Sequence, residues 1–403
     1  MDDIHVTIGR EEIAINRDVF LILLEFPPIK QRAPYKKALE VGKITLDNLR
    51  LLSTEANVPY PLFFASQELL KEQVRDQKKE LFEKMPSKDE IRLSSRGKMK
   101  SDDIALIVKD LGGKQDLLKK RILQNEADNK FVGLILKSQK TGVVICDLAT
   151  ETRNYFGIDL VEFRKKNKTK ALSYLCEKLE EKNIFVSRSS HNFMPQNIDK
   201  NIPLSGICVK DKKFPFIFIN TRDGDNEPLI LETEGRQTFT LVLMLVGIGM
   251  NKFVLSSKDK NSMSELERII FKIAGEVLLP REDLLKVNLS GIGDLENWST
   301  FFSVTPSMLL MRLKEERLIN KSLAENYFQV LKEKSNMAKK GKAPKRSPLP
   351  ENGYAKYNGE RFSREVMLAH NHGKITRDES SLFLFKRRRV PQGLFEVYNK
   401  KFS

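Results

Sequence analysis

A mixed α+β fold is what the 403-residue sequence predicts, and three observations predict it. Amphipathic helical patterns recur along the chain, and short β-like runs cluster between residues 184 and 220. A wholly apolar run, Leu241 to Ile248, falls well short of the ~20 residues needed to cross a bilayer and reads as a helix buried inside protein.

Residues 1–85 read as helical, most clearly over Gly42–Ala65. There Leu46, Leu49, Leu52 and Ala56 share one helix face, Thr45 stands where an N-cap is needed, and Pro59 and Pro61 stop the pattern. Residues 86–140 read as a helical connector with two segments, Asp102–Leu111 and Asp116–Gln124, separated by Gly112-Gly113. Residues 141–333 read as the α+β domain. A helix over Ala171–Lys182 leads into a strand at Ile184–Val186. Gly206–Val209 and Phe214–Asn220 form a hairpin around Asp211-Lys212-Lys213. Helices follow at 239–250 and 264–279, the second striped by Leu266, Ile269, Ile270, Ile273 and Val277. Residues 334–350 read as a basic linker and 351–403 as a small helical tail.

The chain carries a formal charge of +16, which favours anionic partners such as nucleic acid or an acidic protein. Cys146, Cys176 and Cys208 are odd in number and far apart, the pattern of reduced thiols in a cytoplasm rather than of a disulfide framework or zinc knuckle. The N-terminal residues Met1-Asp2-Asp3-Ile4 lack the apolar core of a secretory signal, and no membrane association is expected. His370-Asn371-His372 spells the letters of a nuclease motif whose residues are normally dispersed, so it reads as coincidence; Asp223-Gly224-Asp225 reads as a solvated turn.

Four blocks, in order, resemble the ImmA/IrrE family of zinc-peptidase-like proteins, whose members are often fused to a helix-turn-helix. They are SGICVKDKKFPFIFINTRD (Ser205–Asp223), RQTFTLVLMLVGIG (Arg236–Gly249), ELERIIFKIAGEVLLP (Glu265–Pro280) and FFSVTPSMLLMRLKEERLIN (Phe301–Asn320). Gly42–Ala65 resembles the last helix of an XRE-type helix-turn-helix, and Asn358–Leu384 the C-terminal segment of long family members. The resemblance implies an ImmA/IrrE metallopeptidase-like domain, a small sheet with surrounding helices, flanked by helical N-terminal and C-terminal segments.

The family's zinc site takes two histidines one helical turn apart with a glutamate between them as general base, and a further ligand from a later helix. Matching Phe239-Thr240-Leu241 to the family's motif puts Leu243 and Gly247 at the histidine positions and Met244 at the base position. None of these binds zinc or takes a proton from water. Glu267 matches the later glutamate as a relict, and Phe271 stands where family members commonly have asparagine. No histidine lies between His191 and His370, so shifting the alignment restores nothing. The expectation is a pseudo-metallopeptidase with no cofactor.

For nucleic acid the candidates are Lys30, Arg32, Lys36 and Lys37 in the N-terminal region, Lys339, Lys340, Lys342, Lys345 and Arg346 in the linker, and Lys386, Arg387, Arg388 and Arg389 in the tail. Pro27-Pro28 and Pro34 interrupt the place of a recognition helix, so no residue is assigned to base reading. The expected function is a non-catalytic, DNA-associated regulator or antitoxin-like interaction protein of a bacterial chromosome, prophage or mobile element. Its partner would be a toxin or repressor encoded nearby. An active zinc endopeptidase cleaving a repressor, and a non-specific nucleic-acid binder, are the alternatives.

Overall fold

The structure, a computed structural model, describes residues 3–66, 70, 104–140, 142–198, 202, 204–221, 233–252, 265–338 and 348–403. The chain opens with β1 (Ile4–Ile8) and β2 (Glu11–Ile15), a hairpin turned by Gly9 at φ 64°, which corrects the expectation of an all-helical start. Three short helices follow, α1 (Arg17–Leu23), α2 (Pro27–Lys30) and α3 (Ala33–Val41), then β3 (Lys43–Thr45) and α4 (Leu46–Glu55). β3 pairs parallel with β1, giving the order β2-β1-β3. α4 forms as its sequence predicts: Thr45 Oγ1 accepts the Asn48 N–H at 3.3 Å, and Leu49 and Leu52 are fully buried.

The central body is built on a second sheet, β4 (Phe185–Arg188), β5 (Gly206–Val209) and β6 (Phe216–Ile219), in the order β4-β6-β5. β5 and β6 form the expected antiparallel hairpin, whereas β4 runs parallel to β6. Its turn is fixed by Asp211, whose Oδ1 accepts the N–H groups of Lys213 and Phe214. Successive side chains point to opposite faces, and both faces are covered. Val186, Cys208, Ile217 and Ile219 join one core, while Phe185, Ile207, Val209, Phe216 and Phe218 join another. Burial on both sides explains why FPFIFIN reads as a continuous apolar run.

The second of these cores draws on both flanks of the chain. α5 (Ala105–Leu117) supplies Ile107, Val108 and Leu111. It runs straight through Gly112-Gly113, where a break was expected, and passes into a π-turn over Leu118–Ile122. A helical glycine costs roughly 1 kcal/mol relative to alanine. Packing carries the helix through the pair: Leu111 and Gly112 are buried, and a Cβ on Gly113 would make only an ordinary contact with Asn57 Nδ2, at 3.7 Å.

On the first face stand α6 (Leu134–Lys140), α7 (Ile145–Phe156), α8 (Leu160–Lys165), α9 (Lys168–Glu181), α10 (Glu234–Gly249), α11 (Glu265–Leu278), α12 (Arg281–Leu284), α13 (Ile292–Phe301), α14 (Pro306–Glu315) and α15 (Lys321–Ala338). The chain then returns to the second face as α16 (Pro350–Asn358), α17 (Glu360–Asn371), α18 (Arg377–Phe385) and α19 (Gln392–Phe402). These C-terminal helices bury Tyr357, Phe362, Phe385 and Tyr398 in the core under Phe185 and Phe216. Residues 351–403 are therefore a layer of the central body rather than a tail, and α5 is its companion rather than a connector.

The N-terminal body has its own core, which Leu106 of α5 completes. Lys109 on the same helix donates to the Ala56 carbonyl at 3.0 Å. Among the described residues, no helix is long and apolar enough to cross a membrane.

Candidate functional site

α10 and α11 lie side by side on the first face of the sheet, where the sequence places its peptidase-like positions. α10 is buried nearly all round: Leu243 is 5% exposed, Met244 is fully buried, and Gly247 is buried with them. Met244 faces the sheet closely, its carbonyl accepting a contact from Cys208 Sγ at 3.6 Å. A Cβ on Gly206 would lie 3.1 Å from Thr240 Cγ2 and 3.6 Å from Met244 Cγ, so only glycine lets the helix sit this close. Phe239 and Phe271 pack ring to ring at 5.8 Å between centroids, joining α10 to α11. Glu267 is 9% exposed on α11.

These residues do not fit zinc. A zinc site needs three or four N, S or O donors converging at about 2.0–2.3 Å. The positions on α10 offer hydrocarbon and a thioether, and Glu267 is a single carboxylate. Among the described residues, no group of three or more His, Cys, Asp or Glu side chains is placed to hold a metal ion.

Charged chemistry is buried elsewhere on this body. Glu276 at the end of α11 pairs with Arg312 of α14 at 2.5 Å, with side chains 9% and 5% exposed. Arg312 reaches on to Glu316 at 2.9 Å, and Glu316 pairs with Arg281 at 2.7 Å. A Cβ on Gly275 would meet Arg312 Cδ at 2.5 Å, so the glycine makes room for the guanidinium stem. The ladder clamps α11, α12 and α14 together.

A second cluster joins α5 to the C-terminal helices. Asp110 accepts from Lys386 Nζ at 2.5 Å and from the Tyr357 hydroxyl at 2.8 Å, and lies 3.4 Å from Lys114 Nζ. Lys114 is fully buried, donates to Asn358 Oδ1 at 2.9 Å and sits 4.2 Å above the Tyr357 ring. Asn358 in turn donates to the Leu384 carbonyl at 2.8 Å. Burial pulls Lys114 down to about 7, a loss that Asp110 opposes and Lys386 reinforces. Burial raises Asp110, but Lys386 and Lys114 outweigh it and hold the carboxyl below its usual value. Sequence reading missed this cluster, since one lysine and one aspartate at i, i+4 carry no sign of burial.

A cleft of about 400 Å³ between α9 and the C-terminal helices is lined by charges of both signs, including Glu180, Arg188, Lys356 and Arg361. Burial pushes Glu180 up to about 7, although it accepts the N–H groups of Arg361 at 3.0 Å and Val186 at 3.3 Å.

The candidate nucleic-acid residues separate into three groups. Lys30, Arg32, Lys36 and Lys37 are exposed, Arg32 in a two-pronged pair with Glu55 at 2.9 and 2.7 Å. Lys339, Lys340, Lys342, Lys345 and Arg346 lie outside the described residues, as does Asp223-Gly224-Asp225. Of the last cluster only Arg387, Arg388 and Arg389 are exposed. Lys386 is corrected: it adopts the left-handed conformation at φ 60° that ends α18 and turns inward to Asp110. One exposed residue of each of the first and last groups, Arg32 and Arg387, lines the same cleft of about 150 Å³.

A family model described as the IrrE N-terminal-like domain, of the M78 peptidase family, matches residues 204–314. The match spans β5 through almost all of α14 and covers the four blocks on which the ImmA/IrrE resemblance rests, nearly end to end. Residues 204–314 are thus an ImmA/IrrE-like domain. No curated protein and no solved structure matches the chain at a significant level.

Proposed function

We propose that this chain is a non-catalytic, DNA-associated regulator or antitoxin-like interaction protein that uses an ImmA/IrrE-type domain as a scaffold or sensor. The observation that carries the reading is α10, where Leu243, Met244 and Gly247, the positions that the family resemblance aligns with two ligands and a base, are buried in an apolar core. In a working peptidase those side chains would be polar, and metal and water would satisfy them. Left without either, they would each cost several kcal/mol. Here the set is a leucine, a thioether and a glycine, none of which needs metal or water, and on this reading the helix contributes to stability instead of to chemistry.

The association with DNA is supported by the formal charge of +16 and by the exposed run Arg387, Arg388 and Arg389 at the edge of one cleft. A protein partner, a toxin or repressor encoded nearby, belongs to the same reading.

The test is to load the purified chain with zinc, dialyse it, measure bound metal by mass spectrometry, and titrate it with DNA at several salt concentrations. Zinc well below one ion per chain, with DNA affinity that falls steeply with salt, is the expected result. One tightly held zinc per chain would overturn the non-catalytic reading and restore a metallopeptidase.

A further inference from the structure

We infer that the cleft between the N-terminal body and the C-terminal helices is a binding site for an unpaired nucleobase of single-stranded nucleic acid, with the adjoining phosphates held by Arg387, Arg388 and Arg389. The inference deepens the proposed nucleic-acid association and rests on it.

The cleft is walled by the end of α4, by α5, by the 192–195 loop and by α18. Its wall contains charge that is already spent. Glu55 is engaged by Arg32, and Asp110 by Lys386 at 2.5 Å. The interior is therefore close to neutral. What remains there is apolar surface, aromatic rings with Leu106, Met194, Pro195 and Leu382, together with the hydroxyl of Thr54 and two amides. Phe193 and Phe383 line the cleft half-buried, and Phe383 meets no other aromatic ring among the described residues. Phe193 is braced edge-on against Tyr354 at 5.0 Å. Asn57 and Asn192 are exposed lining residues, and each brings an amide that both donates and accepts.

At the rim the charge changes. Arg387, Arg388 and Arg389 stand exposed directly after the left-handed Lys386, and Arg387 itself lines the cleft. A neutral aromatic interior below a cationic rim matches the two halves of a nucleotide, a flat base with polar edges and an anionic phosphate. It matches an acidic peptide poorly, because a neutral interior offers a carboxylate no free counter-charge to replace its hydration. The volume, about 150 Å³, suits one ring, whereas drug-sized ligands occupy pockets of roughly 300–1,000 Å³. A paired base in a duplex presents only its edge and could not enter.

The test is fluorescence anisotropy on the full chain with three labelled probes: a mixed-sequence single strand of about 12 nucleotides, the matching duplex, and an oligoglutamate peptide. Phe383→Leu keeps the apolar volume and removes the ring face. It is expected to weaken the single strand by about tenfold and leave the duplex unchanged. A strand carrying 2-aminopurine, mixed with the unmodified protein, gives a readout independent of any variant's folding, and its fluorescence is expected to be quenched by stacking. If Phe383→Leu leaves the single strand unchanged and 2-aminopurine is not quenched, while Arg387→Gln/Arg388→Gln/Arg389→Gln weakens both nucleic acids equally, charge alone holds the strand. The base site is then wrong and the proposed function stands. If the unmodified chain binds neither strand nor duplex but does bind oligoglutamate, both fall.

Discussion

Replacing Lys114 with methionine isolates a lysine that has no exposed surface. Four ionisable side chains meet here, the Asp110 carboxylate, the Lys114 and Lys386 ammonium groups and the Tyr357 phenol, which burial keeps neutral, so one positive charge is in excess when both lysines are protonated. Lys386 keeps one-fifth of its side chain in solvent and makes the shorter contact to Asp110, whereas Lys114 has no exposed surface. The surplus proton therefore leaves Lys114, which burial has already drawn down to about 7 from 10.5. The unfolded chain holds that proton until pH approaches 10.5, so folding releases it between pH 7 and 10.5, and stability must rise with pH across that window. With folded and unfolded values of about 7 and 10.5, the gain from pH 7 to pH 9 is about 2 kcal/mol.

Lys114→Met abolishes the gain. It also orphans Asn358 Oδ1, a penalty of about 1–3 kcal/mol that does not vary with pH. Lys109, drawn down to about 8 by burial, contributes a similar rise that is common to both proteins and cancels in the comparison. Urea unfolding followed by circular dichroism at pH 7, 8 and 9 gives both curves. Divergence by about 2 kcal/mol is expected. Parallel curves would mean that Lys114 keeps its proton in the fold, and the charge balance drawn here would be refuted.

Glu180 acts in the opposite sense: its folded value, about 7, lies above the unfolded 4.5, so its contribution is complete below pH 4.5 and is lost as pH rises through 7. Glu180→Gln places a donor NH2 against one of the two backbone N–H groups, a cost that does not vary with pH, so its stability relative to the parent should rise by about 2 kcal/mol between pH 5 and pH 7 in the same urea assay. Arg312→Met leaves Glu276 as a buried, unpaired carboxylate and should cost about 3–5 kcal/mol, most of it recovered by adding Glu276→Gln, as read from thermal denaturation of the single and double variants. Met244→Glu restores the letter of a general base at a fully buried position against the sheet; it should lower the melting temperature sharply, by the several kcal/mol that an unpaired buried charge costs, and added zinc should not recover it.

What the sequence made legible, and what it hid, follows from the range of the signals. α4 was readable because its cap, its face and its stop all lie within one short stretch, and β5 and β6 because Asp211 marks the turn between two apolar runs. The β1–β2 hairpin was missed although Ile4, Val6 and Ile8 alternate, because Glu11–Ala14 of β2 is exposed throughout and shows no alternation of its own. Gly112-Gly113 looked like a break because the partners that hold α5 helical through it lie far off in the chain: Leu106 packs into the N-terminal core, and Ile107, Val108 and Leu111 into the core shared with the C-terminal helices. The same distance problem governs the basic residues. Lys386 through Arg389 form one run of like charge in the sequence, and nothing local separates the first from the rest. In the fold a single left-handed residue divides them: Lys386 is turned in to satisfy Asp110, and the three arginines are left facing out. A charge cluster counted from sequence thus overstates what a ligand can meet, and the surface available to an anion is set by the buried carboxylate that claims the first of the four.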